Sequence, residues 1–585
     1  MANFSDFIAY LRQYFPLSPL NSLTIITGTI SFYLLYRRAL PKPIPGIPYN
    51  EFSARKFLGD VPAMVSHISQ TDGTFVTYLM STMKSLNAPL IQVFIQPMSK
   101  PLLVLADFRE TEDLMLRRKD FDRSSDMGDL VKGLVPNHHI QLKTNARWKS
   151  QRRLIQDLMT PSFLHAVAGP VIHQNASILI ELWRTKSRIA NGRPWEAAKD
   201  INQVALDAVM SFAFGERFRN SATKAALEVV KGLDEKRVER SGGLDELAEF
   251  PPGQIHEVLQ AILDLSGTVG EMQGSPLPKL TWAYISRRPR IQKATKIKNE
   301  YILNELKHAV QRREAGEGTI ERSAVHHMIL REKSFAEKEK RNPDYLSGIM
   351  IDEIFGFIFA GHETTSTTIC WGLKLLADHP EIQTRVRTAL QSSYALAKTE
   401  GRNPTIQEIT GTPIPYLDAT MEEMQRFGGT SPIVDREALV DTELLGHHIP
   451  KGTNVICLTM GPSMITPAFE IDEGRRTASC RAAKEGKEKA WDPEDMGVFI
   501  PERWLKDGEF DGAAGPLLAF GLGTRGCYGR RLAYVEMRII FTLVLWNFEL
   551  LQCPPAFSGY KSVLVSTNNP KDCYVRLREV KFNEK

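Results

Sequence analysis

The sequence predicts a mainly α-helical protein with small β-sheets, an α+β fold. Apolar residues recur at three- and four-residue spacing over long stretches of the chain. Strand-like runs are short and sit beside turn residues such as Pro450, Lys451 and Gly452. The 585 residues would allow three or four average domains. No internal repeat or second low-complexity break divides the chain after residue 50, so one body is the simplest division.

Hydrophobic residues at 43% and charged residues at 24% describe an ordinary globular protein and exclude a disordered or fibrous one. The net charge of +5 is modest for this length. No basic cluster interleaved with aromatics is present, so no nucleic-acid partner is expected. Cys370, Cys457, Cys480, Cys527, Cys553 and Cys573 form no C-x-x-C pair, which argues against zinc, iron–sulfur and thioredoxin-like chemistry. A reducing compartment is expected.

In chain order, residues 20–36, LNSLTIITGTISFYLLY, carry no charge and run into Arg37 and Arg38. The run sits at the lower limit of what crosses a bilayer, about 17 residues. A cleaved signal peptide or a buried helix is the rival reading, but the charges follow the apolar run and no A-x-A-like site comes after it. The expectation is a transmembrane anchor over 20–36 with residues 1–19 lumenal. The positive-inside rule then places Arg37, Arg38, Lys42 and everything after them in the cytosol. A proline-rich linker, 37–49, leads to a catalytic body, 50–585.

Within that body the periodicity predicts helices over 102–118, 145–160, 172–186, 196–214, 296–312, 346–377, 381–398, 416–427 and 528–545. Strand-like pieces lie near 91–95, 102–105, 443–449 and 453–457. The stretch 465–490, with EGRRTASCRAAKEGKEKA, reads as a solvated insertion with no chemistry assigned to it.

The segment FGLGTRGCYG, residues 520–529, invites two readings. Gly521, Gly523 and Gly526 spell G-x-G-x-x-G, and Glu549 stands where a dinucleotide fold would want an acid. That fold needs further strand–helix units, and too few residues follow Glu549 to build them. The alternative is a thiolate ligand. A cysteine at the start of an apolar helix meets unpaired amides and the helix dipole, which lower its pKa. Gly526 and Gly529 let backbone amides approach the sulfur and a flat macrocycle lie against the loop. A buried structural cysteine is the bland reading, and Phe520, Gly523, Arg525 and Gly529 argue against it here.

This pattern, F-x-x-G-x-R-x-C-x-G with Ala533 beyond it, resembles the haem-ligand loop of the cytochrome P450 monooxygenases. The resemblance implies the fold of that family, with haem b (iron protoporphyrin IX) between a long central helix and the helix after the Cys loop. It implies Cys527 as axial thiolate and metal ligand and Arg525 on a haem propionate. It further implies Phe520 packed near the sulfur, and Gly521 and Ala360 among the cofactor contacts.

Other segments fit in the family's order. Ala360-Gly361-His362-Glu363-Thr364-Thr365 places a glycine and polar groups inside an apolar helix, where each is locally unfavourable. A Thr364 hydroxyl bonded back to the Ala360 carbonyl is able to open the helix and admit water. The segment resembles the family's [AG]-G-x-[DE]-T-[TS], which makes Glu363 and Thr364 the catalytic acid–alcohol pair and leaves His362 a bystander. Glu423-Met424-Gln425-Arg426, an everyday i,i+3 pair on its own, becomes a structural trio with Arg503 of Pro501-Glu502-Arg503-Trp504. Trp504 stands where the family more often has Phe. Trp148 and Arg152, one helical turn apart, and Arg436 before Ile449–Thr453 match propionate contacts.

Two departures stand out. Phe427-Gly428-Gly429-Thr430-Ser431-Pro432 replaces the usual His-Pro pair after E-x-x-R, and the 465–490 insertion is longer than is common.

The resemblance implies a haem-dependent monooxygenase that inserts one oxygen atom of dioxygen into a hydrophobic small molecule, with protons delivered through Thr364 and Glu363. It implies NADPH-cytochrome P450 reductase as electron donor and cytochrome b5 as a second one, since the chain has no room for flavin domains. Lys143, Arg147, Lys149, Arg153, Arg530 and Arg531 are candidates for steering an acidic flavoprotein. A microsomal, fungal-like protein of the endoplasmic reticulum membrane, active in secondary metabolism, is expected. Candidate pocket segments are 120–140, 205–260, 349–359, 430–434 and 565–570. Two alternatives stay open: a haem-thiolate isomerase or dehydratase that does not use dioxygen, and a non-catalytic haem- or lipid-binding membrane protein.

Overall fold

The computed structural model describes residues 19–215, 218–233, 243–275, 277–315, 323–483 and 489–582. Its axis is a helix over Gly348–Asp378, 31 residues long. Ser347 caps its start by accepting from the Met350 amide at 3.4 Å. Little of this helix meets solvent, as its near-continuous apolar pattern requires. Helices Ala198–Phe214, Pro415–Gly428 and Arg530–Asn547 pack against it, and their buried aliphatic and aromatic side chains form one contiguous core with it. Gly361 faces helix Ala198–Phe214: a Cβ there would lie 3.0 Å from Val209 Cγ2. The Val209 side chain packed against this position therefore accounts for the glycine inside this helix.

The sheets are small. The largest orders its strands Leu90–Val93, Leu102–Leu105, Asn454–Leu458, Ile433–Ala438 and Phe121–Asp122. Leu102–Leu105 runs parallel to Asn454–Leu458, and the other pairs are antiparallel. Arg436 is opposite Val455 in that ladder, which fixes its height in the fold. A separate hairpin pairs Ser562–Leu564 with Asn568–Pro570.

The run 102–118 divides into the strand Leu102–Leu105 and the helix Phe108–Leu116, where Asp107 caps the helix by accepting from Glu110 N at 2.8 Å. The segment 381–398 likewise splits into Pro380–Ser393 and Ala395–Thr399. Helices Glu257–Gln273 and Ala324–Glu339 were not marked by the spacing argument. After Glu423–Arg426, Gly429 adopts a left-handed φ of 50° and closes helix Pro415–Gly428, so Gly428-Gly429 serves as a helix stop.

Two expectations are corrected. The uncharged run 20–36 lies within a helix, Pro19–Ala39, yet among the described residues no helix is long and apolar enough to cross a membrane. Lack of charge is not apolarity: Asn21, Ser22, Thr24, Thr27, Gly28, Thr29 and Ser31 dilute the run, and the helix continues into Arg37 and Arg38. This overturns the single-pass anchor in the endoplasmic reticulum membrane and the orientation built on it. Apart from Pro19, the segment 1–19 lies outside the described residues.

The 465–490 insertion is not simply solvated. Arg476 is buried and grips Asp107 with Nη1 at 2.7 Å and Nη2 at 3.1 Å, while Thr477 and Ser479 donate to Asp113 at 2.9 and 2.6 Å. These bonds dock the insertion on helix Phe108–Leu116; its residues 484–488 lie outside the described part.

Candidate active site

The Cys loop is closed by its own backbone. Cys527 N donates to the Phe520 carbonyl at 2.7 Å, and Gly526 N to that of Gly523 at 3.0 Å. Gly521 and Gly523 hold φ of 59° and 68°. A Cβ on Gly523 would lie 2.5 Å from the Met115 carbonyl oxygen, so the loop lies directly on the end of helix Phe108–Leu116. Phe520 is half-buried, with its ring 5.4 Å from that of Tyr534 and 5.6 Å from the Arg530 guanidinium.

Cys527 is the exposed cysteine of the chain; Cys370, Cys457, Cys480 and Cys573 are buried. Its thiol is nevertheless pushed up from the ordinary value, because desolvation outweighs the amides of Gly529 and Arg530 and the charges of Arg152 and Arg530. The depression expected from the helix N-terminus is therefore not found in the protein alone: those stabilising contacts are present, and burial is larger.

Around this loop the structure gathers guanidinium groups. Trp148 is buried, with Arg152 at 5.2 Å and Arg525 at 4.8 Å from its ring. Arg152 also lies 4.4 Å from the ring of Tyr528. Arg525 Nη2 donates to the Leu142 carbonyl at 2.8 Å, and its Nη1 is buried without a partner among the described residues. Arg436 is buried, with Nη1 donating to the Asp435 carbonyl at 2.8 Å.

Arg123, which sequence reasoning missed, adds a fourth guanidinium. Burial pushes Arg525 down to about 10, helped by Arg123, Arg436 and Arg152 and opposed by Asp122. Burial also lowers Arg152 and Arg436. Against these four guanidiniums stand two carboxylates: Asp122, which accepts from the Thr144 amide at 2.6 Å, and Asp435, which accepts from the Ser124 amide at 2.8 Å and pairs with Arg123 at 3.5 Å. Positive charge is left over, and it suits a ligand with carboxylates.

On the central helix, Ala360 and Thr364 are exposed although Ile358, His362 and Thr365 are buried. Thr364 Oγ1 donates to the Ala360 carbonyl at 2.8 Å. The helix nevertheless runs unbroken through this turn, so the expected local opening is absent; the carbonyl accepts the hydroxyl without losing its helical role. Glu363 accepts a hydrogen bond from Ser566 Oγ, and burial raises its carboxyl to about 7. His362 turns into the core, with Nδ1 2.9 Å from the Ile358 carbonyl, and burial lowers it to about 4.

Behind the loop, Glu423 is fully buried and accepts from Arg426 Nε at 2.8 Å and Nη2 at 2.7 Å. It also accepts from Arg503 Nε at 3.1 Å, Ile500 N at 2.9 Å and Trp504 Nε1 at 2.8 Å. Glu423, Arg426 and Arg503 thus meet as one cluster, and the Trp that replaces Phe adds an indole donor to it.

A cluster of the buried His138 and Glu353 with the half-buried His139 also escaped the sequence reading. Glu353 lies on the central helix; its Oε1 accepts the His139 amide at 2.8 Å, and its Oε2 lies 2.7 Å from His139 Nδ1. Burial raises Glu353 to about 7 and lowers His138 to about 4 and His139 to about 3. The donors lie within 4.8 Å of one another, the reach of a cation site, but Arg152, Arg525 and Arg123 all bear on His139 and disfavour a cation there. Of the candidate steering residues, Lys143 is engaged, 2.7 Å from Glu437. Arg147, Lys149, Arg153, Arg530 and Arg531 are exposed, with Arg531 Nη1 also donating to the Met159 carbonyl at 3.2 Å and Arg530 lying 3.9 Å from Glu422.

These residues fit an iron porphyrin. An accessible thiol stands on a glycine-lined loop, guanidinium groups left in excess match two propionates, and a buried Arg525 N–H awaits an acceptor.

The family model for cytochrome P450 matches residues 78–462 and 487–570, lapsing over the insertion. Cytochrome P450 monooxygenase TRI13 of Fusarium sporotrichioides is 43% identical over 95% of this chain and 99% of its own length. Cytochrome P450 monooxygenase GME11363 of Pestalotiopsis microspora is 38% identical over 93% and 96%, and xilC of Penicillium rubens is 36% identical over 95% and 96%. With the family model spanning most of the chain and relatives matched along nearly their whole length, the protein belongs to the cytochrome P450 family and is a haem-dependent monooxygenase.

Proposed function

We propose that Cys527, as thiolate, is the protein ligand to the iron of haem b, and that Trp148, Arg152, Arg436 and Arg525 hold its propionates. Phe520, Gly521 and Ala360 pack against the macrocycle. The observation that carries this reading is the excess of guanidinium groups around the Cys527 loop, with Arg525 pushed down to about 10 by burial and by its neighbours. Two carboxylates placed there relieve that repulsion and give Arg525 Nη1 the acceptor it lacks. When bound there, the haem would supply the activation of dioxygen, with Cys527 as its thiolate donor.

The chain's own residues then handle protons and position. Glu363, with a carboxyl near neutrality, holds a proton at its carboxyl oxygens and passes it toward Thr364 Oγ1. Glu423, Arg426, Arg503 and Trp504 fix the backbone behind the Cys loop. Residues 50–585 form the catalytic body. Electrons come from NADPH-cytochrome P450 reductase, with cytochrome b5 as a second donor, and the exposed Arg147, Lys149, Arg153, Arg530 and Arg531 face that encounter. The substrate is an apolar small molecule of fungal secondary metabolism. Support for that setting is the run of relatives from Fusarium, Pestalotiopsis and Penicillium, with one from Dothistroma septosporum named for the Hps1-dma1 cluster.

Reduced, haem-loaded protein exposed to carbon monoxide tests the ligand. A thiolate-type Soret band in the wild type that is lost in Cys527→Ala is expected, and its persistence in the variant would overturn the assignment. In Thr364→Ala with reductase and NADPH, electron flow should be diverted to hydrogen peroxide; unchanged coupling would remove Thr364 from the relay.

A further inference from the structure

The hairpin that pairs Ser562–Leu564 with Asn568–Pro570 is docked on the central helix beside the catalytic pair. Thr367 Oγ1 lies 2.7 Å from Thr567 Oγ1 and 2.7 Å from Asn569 Oδ1. Trp371 Nε1 donates to the Asn568 carbonyl at 2.7 Å. Thr430, in the segment that departs from the family pattern, accepts from Asn568 N at 3.0 Å, and its hydroxyl lies 2.8 Å from that of Thr368. These bonds set the position of the hairpin tip, residues 565–567.

At the tip, Ser566 Oγ donates to Glu363 Oε2. The preceding residue, Val565, packs on Gly270 of helix Glu257–Gln273 so closely that a Cβ on Gly270 would lie 2.6 Å from Val565 Cγ1. The tip thus bridges the catalytic acid and helix Glu257–Gln273, which begins in the candidate pocket segment 205–260 and meets the tip beyond it, at Gly270.

We infer that Ser566 is a positioning residue for the proton relay: its hydroxyl holds the Glu363 carboxyl in a fixed direction, and the tip of the hairpin couples that direction to helix Glu257–Gln273. This rests on the reading of Glu363 as the relay acid. The wider environment leaves Ser566 as the one polar side chain bonded to that carboxyl among the described residues. Charged groups on the elements packed around it are engaged elsewhere. Lys561 and Lys571 flank the hairpin and pair with Asp72, Asp264 with Arg290 and Glu271 with Arg288. Asp207 accepts from Ser221 Oγ and from the amides of Ala222 and Thr223. Ser566 is thus the side-chain contact through which the direction of the Glu363 carboxyl is held.

Infrared difference spectra of the haem-loaded protein across a pH titration test this directly. Glu363→Gln identifies the carboxyl band. In Ser566→Ala that band should move to higher frequency and its midpoint should rise by about one pH unit, because a donor to the charged form is lost. Ser566→Thr should restore both, and Ser566→Cys, a weaker donor in nearly the same shape, should fall between them and serve where the alanine variant does not fold. A band and midpoint identical to wild type in both the Ala and Cys variants would overturn the proposal. Peroxide released per NADPH separates the two readings: if Glu363→Gln leaves it unchanged, the relay role falls, while the band shift still decides what Ser566 does.

Discussion

Replacing Trp504 by Phe, the residue the family more often carries at this point, should destabilise this protein. The indole Nε1 donates to Glu423 Oε2 at 2.8 Å inside a cluster where Glu423 and Arg426 have no exposed side-chain surface. A hydrogen bond to a buried charged group contributes about 1.5–3 kcal/mol, and a phenyl ring cannot donate, so a loss of about 2 kcal/mol is expected. The measurement is urea unfolding followed by far-ultraviolet circular dichroism, read as a lower midpoint at constant slope. A double-mutant cycle with Glu423→Gln isolates the contact, because with a neutral acceptor the same Trp→Phe change should cost only about 1 kcal/mol. Glu423→Gln alone should cost about 3–5 kcal/mol, since it leaves the buried Arg426 without its counter-charge and Arg503 with Asp495 alone. An equal cost of Trp504→Phe in both backgrounds, or a cost under about 0.5 kcal/mol, would refute the claim that the indole belongs to the cluster.

Gly523→Ala should lower the haem-to-protein ratio while leaving the helical circular dichroism intact, because φ of 68° and a Cβ 2.5 Å from the Met115 carbonyl force the loop off its helix. Arg525→Gln should make haem-free protein more stable and haem-loaded protein less so, since it removes both a buried repulsion and a propionate partner; thermal unfolding of the two forms reads the opposite signs. Glu536, buried on the Cys-loop helix with Oε1 unpartnered, is raised by burial from 4.5 to about 8. The folded state therefore binds more protons than the unfolded one between those values, and stability falls as pH rises through that window. Glu536→Gln should remove about one proton, about 1.4 kcal/mol per pH unit, from the measured slope.

What could be read in the sequence was chemistry that demands particular residue types at short, fixed spacing. Phe520, Gly523, Arg525 and Cys527 sit on one loop, and Ala360 and Thr364 are one helical turn apart. Partners brought together only by the fold could not be read that way: Ser566 meets Glu363 across 203 residues, and His139 meets Glu353 across 214. Arg123 has no local signature, since its value comes from standing near Arg436 and Arg525. The membrane expectation failed because absence of charge was taken for apolarity over a run rich in Thr and Ser. For Cys527 the local rule about helix N-termini names the lowering contacts, the amides of Gly529 and Arg530, while desolvation of the sulfur acts against them.

The insertion shows how a segment outside the family match can still bear on the site. Arg476 reaches into the body to hold Asp107, the cap of helix Phe108–Leu116, while Thr477 and Ser479 hold Asp113 in its middle. Met115, near the end of the same short helix, lies against Gly523. A helix of nine residues is too short to be stable alone, so its contacts must fix it. The Cys loop therefore rests on an element that is also held by residues beyond the family's common pattern. Arg476 is thereby part of the support of the helix on which the Cys527 loop lies.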